Sequence, residues 1–136
     1  MVEIDVVYEG ELRTHCHHGP SGTELSTDAP VDNQGRGESF SPTDLVATAL
    51  GGCMLTVMGI VARRHQWPLE GARVHVEKHM VADPLRRIGR IALHFDMPPD
   101  LPRDSRQILE QTARTCPVKR SLHPDLQVDL VFDWKG

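Results

Sequence analysis

The chain has 136 residues, 39% of them hydrophobic, 25% charged and only 4% aromatic, with a formal net charge of −4. That length suits one domain with a real hydrophobic core. The acidic balance argues against a protein that holds nucleic acid by neutralising phosphates, and the scarcity of aromatic rings argues against base-stacking platforms. Three cysteines, an odd count, fit a reducing cytoplasm better than a secreted disulfide framework. The opening Met1-Val2-Glu3-Ile4-Asp5 has neither the positive region nor the apolar run of a signal peptide, so a cytoplasmic location is expected.

Val2 to Glu9 is β-branched, partly alternating and bounded by Gly10, which predicts a first strand, and Glu11 to His18 returns as its hairpin partner. Gly19-Pro20-Ser21-Gly22 is a turn, Thr23 to Thr27 a short third strand, and Asp28 to Phe40 a polar, Gly-rich surface loop. A long helix is then predicted from Pro42 to His65. Ser41 caps it, Pro42 suits its first position, Asp44 completes a Ser-x-x-Asp capping box, and Arg63, Arg64 and His65 suit its negative end. Leu45 to Ala62 is almost free of charge and approaches the length of a membrane span. Thr48, Gly51, Gly52, Thr56 and Gly59 dilute it, so the expectation is a helix apolar all round and buried in protein, with no membrane.

Two long strands follow, Ala72 to Val81 and Ile88 to Met97, joined by a turn at Asp83-Pro84. Val74, Val76, Lys78 and Met80 share one face of the first, and Ile91, Leu93 and Phe95 one face of the second. Asp104 to Thr115 reads as an amphipathic helix with Ile108 and Leu109 inward, Cys116 to Leu122 as a short helical piece with Pro117 in its first turn, and Leu126 to Trp134 as a closing strand. The order β-β-β-α-β-β-α-β, with strands in runs, indicates an α+β fold in a single domain over residues 1–136. A helix of about 36 Å, at 1.5 Å per residue, is too long for one small sheet to cover. A homodimer in which two such helices pack together is therefore expected, with Gly51, Gly52 and Gly59 permitting close approach.

Cys53 and Cys116 are too far apart in sequence for a Cys-x-x-Cys pair or a zinc knuckle. Taken alone, Cys53 could be a small buried hydrophobe. Cys116 stands before Pro117 at the start of a helical piece, an exposed junction where backbone N–H groups can lower a thiol pKa. Ser41-Pro42-Thr43-Asp44-Leu45 leading to Leu50-Gly51-Gly52-Cys53, together with Cys116-Pro117-Val118 and Leu122, resembles the OsmC/Ohr group of thiol-dependent hydroperoxide reductases. The likeness covers nearly the whole chain.

The resemblance implies an intertwined α+β dimer with its reactive cysteines at the subunit interface. Cys53 then corresponds to the peroxidatic cysteine and Cys116 to the resolving one. An organic hydroperoxide would be the substrate, and a dithiol (a lipoylated protein, thioredoxin or similar) the reductant, with no bound cofactor. The family's arginine from the first hairpin maps to Arg13, with Arg36 as the alternative. Its acid near the helix start maps to Asp44, although the best-characterised members carry it directly after the proline, where this chain has Thr43. Asp44 is equally explained as the capping-box acid.

Two other readings stand beside the peroxidase: a small-molecule or stress-related binding protein on the same fold, and a metal-binding module through His15-Cys16-His17-His18. On a strand, His15 and His17 face one way and Cys16 and His18 the other, so no single face presents all four. His75, His79 and His94 could join only through tertiary contact. Trp67 and Trp134 are expected in structural or interface roles.

Overall fold

The Ser41 signal starts the longest element of the protein. In the computed structural model, which describes residues 1–135, helix α1 runs Pro42–His65. Ser41 Oγ accepts the backbone N–H of Asp44 at 3.1 Å, and Asp44 Oδ2 accepts that of Ser41 at 2.9 Å, closing the capping box in both directions. The remaining elements follow the expected α+β order. They are β1 (Ile4–Gly10), β2 (Arg13–His18), β3 (Glu24–Asp28), a 3-10 turn (Val31–Asn33), β4 (Arg73–Val81), β5 (Arg87–Met97), α2 (Ser105–Arg114), α3 (Pro117–Ser121) and β6 (Gln127–Trp134).

The chain divides into two compact units, one spanning Met1–Val46 and the other beginning at Ala47. In the first, β1, β2 and β3 form an antiparallel meander with β2 in the centre. The β1–β2 turn places Gly10, Glu11 and Leu12 at positive φ, the hand that matches the twist of a tight hairpin. Register aligns Val6, Cys16 and Leu25 across the sheet on one face, and Asp5, His17 and Glu24 on the other. Ile4, Val6, Tyr8 and Leu25 of the apolar face all remain exposed in the single chain.

In the second unit the order is β4-β5-β6, with β4 antiparallel and β6 parallel to the central β5. A parallel pair needs a crossover, which α2 and α3 supply. Ile91, Leu93, Phe95 and Met97 alternate onto one face of β5 and are buried with Leu50, Met54 and Met58 of α1 and with Leu109 and Ala113 of α2. Each such large side chain contributes about 1.5–3 kcal/mol when removed from water. Phe95 stacks on Phe132, its register partner on β6, with centroids 4.6 Å apart.

Two expectations, those for Gly51 and Ile108, are corrected here, and the burial of α1 is seen within one chain. Among the described residues α1 is the one helix long and apolar enough to cross a membrane by length and composition, but in the single chain it is not buried all round. Ala47, Leu50, Gly51, Met54, Met58 and Ala62 form one buried stripe, while Thr48, Ala49, Gly52, Thr56 and Ile60 stay exposed. Gly51 faces the sheet rather than another helix, since a Cβ there would meet Val76 Cγ2 at 3.0 Å and Val74 Cγ1 at 3.2 Å. In α2 the inward positions are Ser105, Leu109 and Ala113, one residue every four, and Ile108 is 43% exposed.

Candidate active site

Cys53 lies beside the buried stripe of α1, half-buried against the core cluster. Cys116 comes from the far end of the second unit. After α2 ends, Cys116 adopts extended backbone angles, φ −66° and ψ 151°, and becomes the N-cap of α3, with Pro117 in the first turn where no N–H is needed. Its Sγ accepts the backbone N–H of Lys119 at 3.4 Å. The two thiols are within hydrogen-bonding reach of each other, and all three cysteines of the chain are free thiols.

The environments of the pair differ. Cys116 is fully buried, not exposed as its junction position suggested. Burial pushes its thiol pKa up, and the neighbouring Cys53 pushes the same way. The N–H groups of Lys119 and Val118 pull it down, as expected for a helix start, but burial outweighs them. The site thus joins a thiol that solvent can reach to one held protonated in the core. Two thiols so placed can be linked by a disulfide tying α1 to the start of α3, if their Cα atoms come within about 7 Å.

Arg13 opens β2 in the N-terminal unit. Its guanidinium pairs with Asp28 Oδ2 at 3.5 Å and with Glu38. Asp28 is buried, and the backbone N–H of Glu38 and the charge of Arg13 together hold its carboxyl below the usual range, against the opposing effect of burial. Arg36, the alternative cation, pairs with Glu11 at 3.7 Å. Asp44 serves the capping box described above.

The sequence profile of the OsmC-like protein family matches residues 35–131. A solved structure from Psychrobacter arcticus 273-4, provisionally described as an osmotic stress induced and detoxification response protein, is 44% identical, with a TM-score of 0.92 over 98% of this chain and 96% of its own. The chain belongs to the OsmC/Ohr family.

More distant OsmC/Ohr structures show the same fold. An organic hydroperoxide resistance protein of Legionella pneumophila is 20% identical, with a TM-score of 0.78 over 98% of this chain and 96% of that one. The OhrB protein of Bacillus subtilis, also an organic hydroperoxide resistance protein, is 17% identical, with a TM-score of 0.69 over 98% of both chains. No curated protein matches this OsmC-family sequence.

The histidine run of β2 splits between two faces, as strand geometry requires. His15 and His17 each lie 3.4 Å from Glu24 Oε1, and His18 turns to Ser21 Oγ at 2.5 Å. Among the described residues the donor atoms that converge closely enough for one ion belong instead to His94, Asp96 and Asp133. Sequence reading missed this group, and it also missed Asp28 and Glu38 as the partners of Arg13. Strand register, which sets Asp96 opposite Asp133 and Arg13 opposite Asp28, was the available signal, and Glu38, in a loop, had none. Trp134 is structural, donating from Nε1 to Glu110 Oε2 at 3.1 Å beneath the Arg106 guanidinium.

Proposed function

We propose that this OsmC/Ohr-family protein is a thiol-dependent peroxidase that reduces organic hydroperoxides to alcohols. The observation that carries the reading is the pairing of an accessible Cys53 with a buried Cys116 within hydrogen-bonding reach. The names of related structures as organic hydroperoxide resistance proteins support it.

In the first step the Cys53 thiolate attacks the distal oxygen of the hydroperoxide. The O–O bond breaks, the alkoxide takes a proton to leave as the alcohol, and Cys53 becomes a sulfenic acid. Cys116, protonated while buried, then gives up its proton to the sulfenic hydroxyl as its sulfur attacks that of Cys53. An S–S bond forms, and the sulfenic hydroxyl departs with the Cys116 proton as water. An external dithiol restores the pair by two exchanges and is itself oxidised to a disulfide. By its resemblance to the family Arg13, or alternatively Arg36, is proposed to supply the cation that holds Cys53 as thiolate, and Asp44 acts by fixing the start of α1. The apolar walls of α1 favour alkyl and lipid-like peroxides. A cytoplasmic homodimer supplied by a lipoylated or thioredoxin-like reductant completes the proposal.

The test is consumption of tert-butyl hydroperoxide by the tag-free protein with dithiothreitol as the reductant. Cys53→Ser should abolish turnover, losing at least about a hundred-fold, because no other group supplies the nucleophile. Peroxide-treated wild type should yield a Cys53–Cys116 crosslinked peptide by mass spectrometry. Undiminished peroxide in the wild-type reaction, with retained ligand binding after Cys53→Ser, would instead establish the binding-protein reading.

A further inference from the structure

The face of the C-terminal sheet turned away from α1 and α2 carries a cluster that thiol chemistry does not use. Parallel register sets Asp96 of β5 directly opposite Asp133 of β6. Like charges directly opposed across strands destabilise a sheet. Elsewhere on the same face Asp129, set opposite Ala92, pairs with Arg90 Nε at 2.6 Å. Asp96 also has Arg73 of β4 as its register partner on the other side. Lys135 reaches Asp133 at 3.4 Å from beyond the end of the strand, and next along β5 on the same face stands the His94 imidazole. His94 Nε2 stands 3.9 Å from Asp96 Oδ1, and one donor atom from each of His94, Asp96 and Asp133 lies within 4.8 Å of the others.

That convergence has a definite chemistry. Ligands that share one ion at bond lengths of about 2.0–2.2 Å stand roughly 3–4 Å apart, so small side-chain rotations close this set. One nitrogen and two carboxylate oxygens suit a first-row divalent transition ion such as zinc, whereas calcium and magnesium prefer oxygen throughout. His75 on β4 is the register partner of His94, but its Nε2 lies 3.6 Å from Glu77 Oε2 and it is not among the converging donors. The cluster is therefore a mixed nitrogen and oxygen donor set drawn from β5 and β6.

We propose that His94, Asp96 and Asp133 form a divalent metal site of the zinc type on the outer face of the C-terminal sheet, with water completing the coordination of the ion. The ion would neutralise the opposed carboxylates, displace Lys135 from Asp133 and clip β6 to β5 at the end of the sheet. The site is independent of Cys53 and Cys116, so failure of the peroxidase reading leaves it untouched, and its own failure leaves that reading intact.

The probe is zinc chloride, titrated calorimetrically into the full-length, tag-free chain. His94→Gln and the double change Asp96→Asn with Asp133→Asn should each weaken one zinc equivalent by at least about ten-fold. His15→Gln with His17→Gln should leave that equivalent unchanged. Localisation comes from wild-type protein alone, by paramagnetic broadening of amide NMR signals on addition of cobalt(II). Broadening centred on residues 94–96 and 131–133 is the expected result, and it needs no variant to fold. Zinc binding unaltered by the His94 and aspartate changes, or broadening centred on residues 15–18 or on the cysteines, overturns the proposal.

Discussion

The asymmetry between the two thiols sets what each sulfur can do. In a Cys53–Cys116 disulfide the Cys53 side is the one a reductant can reach, so an incoming dithiol should attack Cys53 and release Cys116, whose sulfur already accepts the Lys119 N–H. The same burial makes Cys116 a reporter of stability. Its folded-state pKa is raised, so the native protein holds that proton more tightly than the unfolded chain does. The contribution is fully present below the unfolded thiol pKa, about 8.5. It is lost as the pH rises past that value, because the unfolded chain ionises first. The urea midpoint of the reduced protein should therefore fall between pH 8 and 10, and fall less steeply in Cys116→Ala. Equal slopes in the two proteins would show that the Cys116 proton is not held by burial.

At the scale of elements, α1 shows both the reach and the limit of sequence reasoning. Its bounds were legible because a capping box, a first-turn proline and three terminal basic residues are local signals. The alternation in β4, β5 and β6 was equally plain, and so was the helical start after Cys116. The rotational phase of α1 was not. A helix with apolar residues on every side does not declare which side meets the sheet, and Gly51 was assigned to a helix contact although it packs against β4. Likewise, the burial of Cys116, the partners of Arg13 and the Asp96–Asp133 opposition are all products of long-range pairing that no window of sequence contains. The observed phase makes Gly51 a sensitive position. Gly51→Val must place a branched side chain where even a Cβ sits 3.0 Å from Val76 Cγ2. Overpacking of this kind costs about 1–3 kcal/mol, and valine recovers little helix propensity to offset it. A guanidinium unfolding curve superimposable on wild type would mean that α1 does not rest on β4 at this position.

For the whole molecule the open question is what covers the surfaces that the single chain leaves bare. In the N-terminal unit the apolar face keeps Val6 59% and Tyr8 64% exposed. In the C-terminal unit the outer stripe of α1 presents Gly52 and Gly59, around which an added Cβ would meet nothing within 4 Å. Beside that stripe, at the C-terminal end of α1, lies a hollow of about 710 Å³ lined in part by Leu55, Ile60, Trp67 and Leu69. Exposed apolar surface marks association sites in soluble proteins, and the proposed homodimer supplies the occupant. The glycines make the proposal testable in both directions. On a free helix surface, replacing glycine with alanine should stabilise the fold by about 0.8–1 kcal/mol per site. Under a closely packed partner helix the added methyl should instead push two subunits apart. We expect sedimentation of the wild type at micromolar concentration to report twice the 15.2 kDa chain mass. Gly52→Leu should shift it towards the monomer, while Gly52→Ala should weaken association without gaining thermal stability. A wild type that sediments as a monomer, with Gly52→Ala more stable than its parent, would show that the outer stripe of α1 faces water.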